Sequence, residues 1–516
     1  MRINRFLLLI MICAISGGAF SQSAATLSVQ GDSAKETISK NIYGMFSEHL
    51  GRDIYDGFWV GKNSSIPNKD GIRLDIVKAL KAINVPLMRW PGGCFADQYH
   101  WMDGIGPKDK RPETVNSSWG GVSEDNYFGT HEFMELCDLI GCQAYIAGNV
   151  GSGTVKEMSQ WVEYLNSPLK SSITALRKEN GRDQPWHVPF WGVGNESWGC
   201  GGNMTPEEYV DFYRRYATFC HDYPGAHLNK IASGPNGNDT NWMEVLMKNI
   251  PHYLMWGVSV HYYTIPTGNW EHKGSATQFG EDEYFGTLKR ALGMNKVIED
   301  QEAIMDKYDP EKKVAMAVDE WGVWTDVEPG TNPAFLYQQN SLRDALAAAS
   351  TLNIFNNHSD RVRMGNLAQT VNVLQSLVLT KGAKMVLTPT YFVFDMYKVH
   401  QDAKLLPVKL VSPDYVSGSD RIPAVNASAS KDSTGAIHIS LVNIDPSKTI
   451  SVHTSFTGIK WTQINGSVLT SENFNDYNSF ENPGKIKVAK FSNAKKENEE
   501  LWVSLPPKSV VVLELK

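Results

Sequence analysis

Residues 191–198 read Trp-Gly-Val-Gly-Asn-Glu-Ser-Trp, and residues 314–321 read Val-Ala-Met-Ala-Val-Asp-Glu-Trp. In both segments a short apolar run ends in a carboxylate. Glu196 and Glu320 lie 124 residues apart, which corresponds to about three strand–helix units of roughly 40 residues each. A parallel barrel presents the carboxyl ends of its strands on one face. The spacing therefore predicts two opposed glutamates, at the ends of strands four and seven.

Outward from these segments, short apolar runs alternate with amphipathic helices. The run 87–90 follows a helix whose apolar stripe is Ile76, Leu80 and Ile83. About eight such units fit between residues 42 and 398, with the eighth strand near residues 361–365. The repeat predicts an α/β protein with a (β/α)8 barrel, and an open doubly wound sheet is the alternative.

After residue 398 the pattern changes to a period of two. Ile437, Ile439 and Leu441 alternate with polar residues, and Asn, Asp, Gly and Pro punctuate the intervals. This pattern predicts a jelly-roll-like all-β sandwich over residues 399–516, beside a catalytic barrel over 42–398. We expect the segment 22–41 to add a strand to the sandwich.

The first 21 residues have the pattern of a signal peptide. Arg2 and Arg5 precede an apolar stretch from Phe6 to Ile15, and small residues follow it. The pattern predicts cleavage near Ser21, a secreted or periplasmic protein, and no membrane attachment after cleavage.

Composition excludes several other classes. The formal net charge is −7 and no Lys/Arg cluster stands out, which argues against a nucleic-acid partner. The glycine-rich segment 148–153 lacks the spacing and the lysine of a phosphate loop. The histidines and cysteines show no paired ligand spacing, so neither a metal nor a cofactor is predicted. After cleavage five cysteines remain, and an odd count leaves at least one thiol free.

Two opposed carboxylates are the groups that glycoside hydrolysis requires. In a retaining enzyme the carboxyl groups lie about 5–5.5 Å apart. One carboxylate attacks the anomeric carbon, and the other protonates the leaving oxygen and later deprotonates water. Asn195 precedes Glu196, and tryptophans flank both glutamates, which favours a sugar site over strand-end salt bridges.

Several further motifs resemble family 51 of the glycoside hydrolases, the α-L-arabinofuranosidases, over nearly the whole chain after the signal. The two glutamate motifs alone would mark only the wider clan, and the segments at 47–51 and 89–93 are more specific. The matching segments are Asn-Ile-Tyr-Gly at 41–44, Ser-Glu-His-Leu-Gly at 47–51, Arg-Trp-Pro-Gly-Gly-Cys-Phe at 89–95, Gly-Asn-Glu at 194–196, Asp-Glu-Trp at 319–321, Asn-Leu-Ala-Gln at 366–369 and Leu-Pro-Pro-Lys-Ser at 505–509.

The resemblance implies a role for each matching residue. Glu196 would be the acid/base and Glu320 the nucleophile. Asn195 would bind the sugar 2-hydroxyl, and Tyr263 would hydrogen-bond the nucleophile, although Tyr262 stands where the family pattern has Gln. Of the remaining matches, Glu48 would bind sugar hydroxyls, Cys94 would lie near the sugar, Gln369 would close the pocket and Arg89 would support the nucleophile.

These features predict a retaining, exo-acting α-L-arabinofuranosidase that acts on arabinose-containing plant polysaccharides. Long loops at 104–127 and 264–285 would close its pocket, with Trp119 and Trp324 available to shape subsites. The alternatives are an endo-acting β-glycanase of the same clan, which would need an open cleft, and a non-catalytic carbohydrate-binding protein. The resemblance also implies a possible homo-oligomer, a trimer or a hexamer.

Overall fold

Eight parallel strands close into a barrel in the computed structural model, which describes residues 24–516. Each strand pairs with its neighbour in chain order, and the eighth pairs with the first. The (β/α)8 prediction is confirmed. In chain order, the barrel strands are Gly44–Phe46, Leu87–Trp90, Gln143–Gly148, Phe190–Val193, Asn229–Ala232, Gly257–Thr264, Ala315–Val323 and Val362–Ala368.

The barrel interior is filled by side chains and is not a pore. One buried cluster contains residues from six different strands, with Trp256 packed against it. Such layers are typical of barrels of this kind. The members of the cluster are Leu87, Tyr145, Phe190, Ile231, Ala317 and Met364.

Helices surround the barrel, and side-chain caps mark the N-termini of several of them. Thr154 and Thr205 each accept a hydrogen bond from a backbone N–H three residues later, at 3.2 Å, and Pro206 occupies the first turn. Within residues 24–516 the α-helices are Leu74–Ala82, Thr130–Ile140, Val155–Asn166, Ser172–Glu179, Pro206–Phe219, Thr240–Asn249, Glu281–Tyr308, Leu342–Asn357 and Pro389–Tyr397.

The C-terminal region forms two stacked sheets. In the first sheet, Ala24–Gln30 lies between an antiparallel and a parallel neighbour, so the start of the described chain is part of this unit. In sheet order, the first sheet contains Val408–Val411, Ala24–Gln30, Ile450–Thr457, Glu500–Leu505 and Ala494–Glu497. The second contains Lys404–Leu405, Val425–Lys431, Ile437–Asn443, Ser509–Leu515, Ile464–Leu469 and Ala489–Lys490.

The sandwich packs on the barrel through the helix Leu342–Asn357, of which every residue except the last, Asn357, is buried. Polar side chains inside this contact bond one another: Ser428 Oγ donates to Asn353 Oδ1 at 2.7 Å and accepts from Asn356 Nδ2 at 3.1 Å. Tyr43 Oη, beside the first barrel strand, donates to Asn356 Oδ1 at 2.8 Å. Because unpaired polar groups would be costly here, the network fixes one arrangement of the two units.

Short hairpins extend the loops. The hairpin in the second βα loop stands at the carboxyl end of the barrel, where it helps to shape the site. The hairpin strands are Asn68–Lys69 with Ile72–Arg73, Thr114–Asn116 with Val122–Glu124, Val378–Lys381 with Lys384–Leu387, and Asp414–Ser417 with Asp420–Pro423. Between residues 24 and 516, no helix has the length and apolar character needed to cross a bilayer.

Candidate active site

Arg89, on the second barrel strand, connects the groups at the centre of the site. Its Nη1 donates to Glu320 Oε1 at 2.8 Å and its Nη2 donates to Asn195 Oδ1 at 2.6 Å. Its Nε lies 3.7 Å from Asp319 Oδ2. Burial opposes the charge of Arg89, but Asp319 and Glu320 outweigh this effect and raise its pKa. The guanidinium is therefore a permanent cation below the pocket.

Glu320 lies within the seventh strand and receives a hydrogen bond on each carboxylate oxygen. Besides Arg89 on Oε1, Tyr263 Oη donates to Oε2 at 2.9 Å. Burial and the neighbouring charge of Glu320 raise the pKa of Tyr263, so this phenol stays a donor. Gly93 approaches the same carboxylate so closely that a Cβ there would lie 2.8 Å from Glu320 Oε1. The backbone of the 92–93 turn thus forms one wall of the site, and a larger residue would collide with it.

Glu196 follows the fourth strand at a sharp turn. Gly194 has a φ of +86° and Glu196 itself has a φ of +40°, a conformation that L residues rarely adopt. The turn is held by Asp97, whose Oδ2 accepts from Asn195 N at 3.1 Å. Burial raises the pKa of Glu196, with Glu320 adding to the effect, while His261 opposes it. Burial thus shifts the carboxyl group toward its protonated form, the form in which a general acid acts.

His261, on the sixth strand, is a residue that the sequence reasoning missed. Its Nδ1 lies 2.9 Å from Glu196 Oε1, and its Nε2 lies 3.2 Å from Asp319 Oδ1. Burial opposes protonation of His261, but the carboxylates of Glu320, Asp319 and Glu196 raise its pKa to about 10. A signal did exist, because His261 precedes Tyr263 by two residues on the same strand and so faces the same side.

The two carboxylates are close enough for retaining chemistry. One oxygen of Glu196, one of Glu320 and a ring nitrogen of His261 all lie within 4.8 Å of one another. This short distance between the nearest oxygens is closer to the carboxyl separation of about 5–5.5 Å in retaining glycosidases than to the about 6.5–9.5 Å in inverting ones. The opposed pair that the sequence predicts at strands four and seven is therefore assembled by the fold.

Glu48, after the first strand, forms the opposite side of the pocket. Its Oε1 accepts from the backbone of Gly93 and Phe95 at 3.0 Å and from Trp119 Nε1 at 2.9 Å. Its Oε2 accepts from Gln369 Nε2 at 3.1 Å. Burial, with a contribution from Glu320, raises the pKa of Glu48 to about 7. The structure thus brings Glu48 and Gln369 together beside Glu196 and Glu320.

Cys94 forms a disulfide with Cys200, across 106 residues of sequence. Cys94 lines the pocket, and Cys200 Sγ lies 3.4 Å from Glu196 Oε2. The disulfide therefore ties the turn after strand two to the loop after strand four, beside the acid/base candidate. Within residues 24–516, Cys137, Cys142 and Cys220 are free thiols.

Two groups of side chains have donor atoms close enough to hold a metal ion. The first is Cys94, Glu196 and Cys200, but its two sulfurs are joined in the disulfide. The second is Glu196, His261 and Glu320, where the cationic imidazole already supplies a positive charge between the carboxylates. We assign no metal to either group.

These groups enclose a pocket of about 110 Å³ at the carboxyl end of the barrel. Three carboxylates and two tryptophans are among the residues that line it: Glu48, Glu196, Glu320, Trp119 and Trp324. Trp119 comes from the loop 104–127, whereas the loop 264–285 reaches the site indirectly, because its Trp270 packs on Trp324 with ring centroids 5.4 Å apart. The pocket also contains Leu50, Gly93, Cys94, Tyr263, Leu336, Gln369 and Leu374.

A parallel barrel with two opposed glutamates at strands four and seven, close together in a small pocket, is typical of glycoside hydrolases. Family models support a narrower assignment. The "Alpha-L-arabinofuranosidase 1 domain" matches residues 79–284 and the "Alpha-L-arabinofuranosidase C-terminal domain" matches residues 319–509.

Relatives agree with that assignment. An "intracellular exo-alpha-L-arabinofuranosidase" of Bacteroides ovatus is 52% identical over 98% of both chains. A GH51 arabinofuranosidase from Xanthomonas axonopodis pv. citri superposes with a TM-score of 0.95 at 49% identity, over 96% of this chain and 100% of that one. The α-L-arabinofuranosidase from Thermotoga maritima, in an arabinose complex, superposes with a TM-score of 0.82 at 30% identity, over 95% of this chain and 99% of that one.

The chain belongs to glycoside hydrolase family 51 and is an α-L-arabinofuranosidase. The predicted family and enzyme class are confirmed, and the endo-β-glycanase and non-catalytic alternatives are not favoured. A xyloglucanase of Paenibacillus polymyxa, at 12% identity and a TM-score of 0.61, shares the fold alone.

The predicted secreted or periplasmic location is wrong, since the Bacteroides ovatus relative that matches over 98% of this chain is named intracellular. The predicted signal peptide, residues 1–21, lies outside the described residues. The prediction failed because it rested only on the composition of the segment, an apolar run of ten residues after two arginines, and this composition is not specific to exported proteins. A run of this length is also found in buried helices and does not by itself specify export.

Proposed function

We propose that Glu320 is the nucleophile and Glu196 the acid/base of a double-displacement mechanism. The observation that carries this assignment is the unequal treatment of the two carboxylates. Glu320 receives a hydrogen bond from Arg89 on one oxygen and from Tyr263 on the other, which fixes the position of its carboxylate as a nucleophile requires. Burial instead raises the pKa of Glu196 and favours the protonated form.

In the first step a carboxylate oxygen of Glu320 forms a bond to the anomeric carbon as the glycosidic C–O bond breaks. The proton of Glu196 goes to the leaving oxygen. In the second step Glu196 accepts a proton from water, whose oxygen bonds to the anomeric carbon, and the bond to Glu320 breaks. The arabinose product keeps its configuration and both glutamates return to their initial states.

His261 fits this cycle as a positioning residue. Glu196 is neutral before the first step and anionic after it. The imidazolium of His261, fixed by Asp319 on its other nitrogen, stabilises the anionic state through the 2.9 Å contact. Burial pushes the pKa of Glu196 upward and His261 pushes it downward. This balance keeps the group able to act both as an acid and as a base.

The other predicted residues are placed to bind the sugar. Because Asn195 Oδ1 is held by Arg89, its amide Nδ2 remains a donor that can reach the 2-hydroxyl group. Glu48 offers a carboxylate to the hydroxyl groups at the far side of the pocket, and Gln369 fixes its orientation. Cys94 contributes its disulfide sulfur to the pocket wall.

We further propose that arabinan and arabinoxylan, or their oligosaccharides, are the natural substrates. The volume of about 110 Å³ suits one furanose ring, which supports removal of single terminal units. Assembly into trimers or hexamers is a separate proposal that rests on the family resemblance alone. Light scattering of the purified protein would measure the oligomeric state.

The test is hydrolysis of 4-nitrophenyl α-L-arabinofuranoside beside the β-D-xylopyranoside and the β-D-glucopyranoside. We expect a clear preference for the arabinofuranoside. Proton NMR of the first product should show the retained anomer before mutarotation. The inverted anomer, or arabinose oligomers as the first products from linear arabinan, would contradict the proposed mechanism.

A further inference from the structure

A groove of about 640 Å³ lies next to the catalytic pocket, between barrel loops and the segment 477–481 of the sandwich. Four aromatic side chains line it, and all four are partly exposed. We call it the Phe480 groove. The aromatic residues are Phe335, Tyr337, Tyr477 and Phe480, and the polar side chains of Asn332 and Gln339 lie among them.

We propose that the Phe480 groove binds a stretch of neutral polysaccharide main chain while the arabinose tip of the same polymer occupies the catalytic pocket. The proposal rests on the proposed polymer substrate and adds a second binding site to it. Flat rings surrounded by amide and hydroxyl groups match the apolar faces and polar edges of sugar rings.

The groove and the pocket share one wall. In the segment 331–339, Leu336 lines the pocket, whereas its neighbours Phe335 and Tyr337 line the groove. Leu374 N donates to Leu336 O at 3.0 Å, which holds this wall in place. Consecutive Cα atoms lie about 3.8 Å apart, so a single backbone segment separates the pocket from the groove.

A second contact joins the groove to the pocket, between Phe335 of the groove and the residue that follows Trp119. A Cβ built on Gly120 would lie 3.2 Å from the ring of Phe335, and Gly120 follows Trp119 of the pocket wall. Gly51 approaches Phe335 from the other side, with a φ of +54° and its Cβ position 2.9 Å from Phe335 Cβ. The aromatic surface thus runs from Trp119 through Phe335 into the groove.

The charges in the groove favour a neutral ligand. Its charged side chains are two cations and one anion: Arg52, Lys381 and Glu481. Arg52 is already engaged, because its Nη1 donates to Thr380 O at 3.1 Å and its guanidinium carbon lies 5.4 Å from the Tyr337 ring centroid. No concentrated positive field remains that would select a phosphate or an acidic chain.

Hydrogen bonds across the two units preform the groove. Leu342 N donates to Asp476 O at 2.9 Å, and Tyr477 forms a backbone bridge with Ser341. On the opposite side Asn372 Nδ2 donates to Arg52 O at 2.8 Å. A ligand therefore meets fixed walls and pays little entropy for ordering them.

The test compares a small and a polymeric substrate in the full-length protein. Phe480→Ala removes a groove ring, and Ser479→Trp fills the groove without removing any apolar side chain. Tyr253→Ala is the matched control, because Tyr253 is 86% exposed and lies in the turn that precedes the sixth strand, at the opposite end of the barrel. Thermal unfolding would check that each variant is folded.

For both groove variants we expect kcat/KM on arabinoxylan or branched arabinan to fall about tenfold, because KM rises while kcat stays the same. Values on 4-nitrophenyl α-L-arabinofuranoside should stay within about twofold of the wild type, and Tyr253→Ala should change neither. Affinity electrophoresis in each polymer should show weaker retardation of the groove variants, and comparison of the two gels shows which main chain is bound.

Unchanged polymer kinetics and retardation would overturn the proposal, as would equal losses on both substrates. A change of mass in light scattering would assign the groove to contacts between copies of the chain and would also overturn it. An inactive wild type on the aryl arabinofuranoside would contradict the proposed function instead. Retardation by polymer does not require turnover, so the groove would still be tested.

Discussion

The two sides of the barrel mouth hold their glutamates in different ways. Glu320 is part of a strand, its side chain is 7% exposed, and Arg89 and Tyr263 occupy its two oxygens. Glu196 follows its strand in a turn with positive φ, is 18% exposed, and has His261 as its charged partner. A nucleophile needs a fixed position and charge, whereas an acid/base must gain and lose a proton, so the rigid and the adaptable settings match the two roles.

Removal of Glu320 should produce the largest loss. Glu320→Ala leaves Arg89 and Tyr263 without their carboxylate and removes the covalent step, so we expect kcat to fall at least about 10⁴-fold. Azide should enter the vacated space and form the inverted arabinofuranosyl azide, which NMR would identify. If the azide product appeared with retained configuration, the two roles would have to be exchanged.

Removal of Glu196 should depend on the leaving group. Glu196→Ala cannot protonate the departing oxygen, so hydrolysis of natural glycosides should fall by about 10²–10⁴-fold. An aryl leaving group of low pKa, such as 2,4-dinitrophenol, departs unaided, so glycosylation of the enzyme should be nearly normal and a burst should precede slow turnover. A loss that is the same for every leaving group would contradict the acid role.

His261→Gln tests whether His261, which lies between Glu196 and Glu320, sets the pKa of Glu196. His261 lowers the pKa of Glu196, and the histidine is itself protonated at neutral pH because its pKa is about 10. Without this cation the pKa of Glu196 should rise, so the acid stays protonated to higher pH. The basic limb of the kcat/KM profile should then move upward by about one pH unit, with kcat about tenfold lower.

The control for this experiment is His252→Gln. That histidine lies in the turn before the sixth strand, where its Nε2 donates to the backbone carbonyl Met247 O at 3.0 Å. Its profile should match that of the wild type. A His261 variant with reduced kcat but an unchanged basic limb would show that His261 does not set the pKa of the acid/base.

The sequence predicts the barrel and the glutamate pair for a physical reason. Strand–helix repeats leave a local periodicity, and the repeat length places Glu196 and Glu320 on opposed strands. Contacts between distant loops leave no such trace. The spacing of His261 from Tyr263 places its side chain on the pocket side, but its partners Glu196 and Asp319 depend on strand register. The pairing of Cys94 with Cys200 depends on where two loops meet. Family resemblance identified Cys94 as a pocket residue but did not indicate its partner.

Removal of the disulfide beside Glu196 should have the smallest effect on activity of the changes considered, and should mainly lower stability. Cys200→Ser opens a link across 106 residues, which should lower the free energy of unfolding by about 2–4 kcal/mol. The catalytic effect should be only a fewfold loss of kcat, because His261 still holds Glu196.

Denaturant titration with and without a phosphine reductant would measure the stability, and activity assays on the same samples would measure kcat. Cys142→Ser, which replaces a free thiol, is the control. Reductant should lower the free energy of unfolding of the wild type to about that of the Cys200 variant, and should leave the stability of that variant unchanged. Identical stability of the wild type and the Cys200 variant, with and without reductant, would show that the disulfide does not stabilise this loop, and that contacts such as those with Asp97 and His261 hold Glu196 in place.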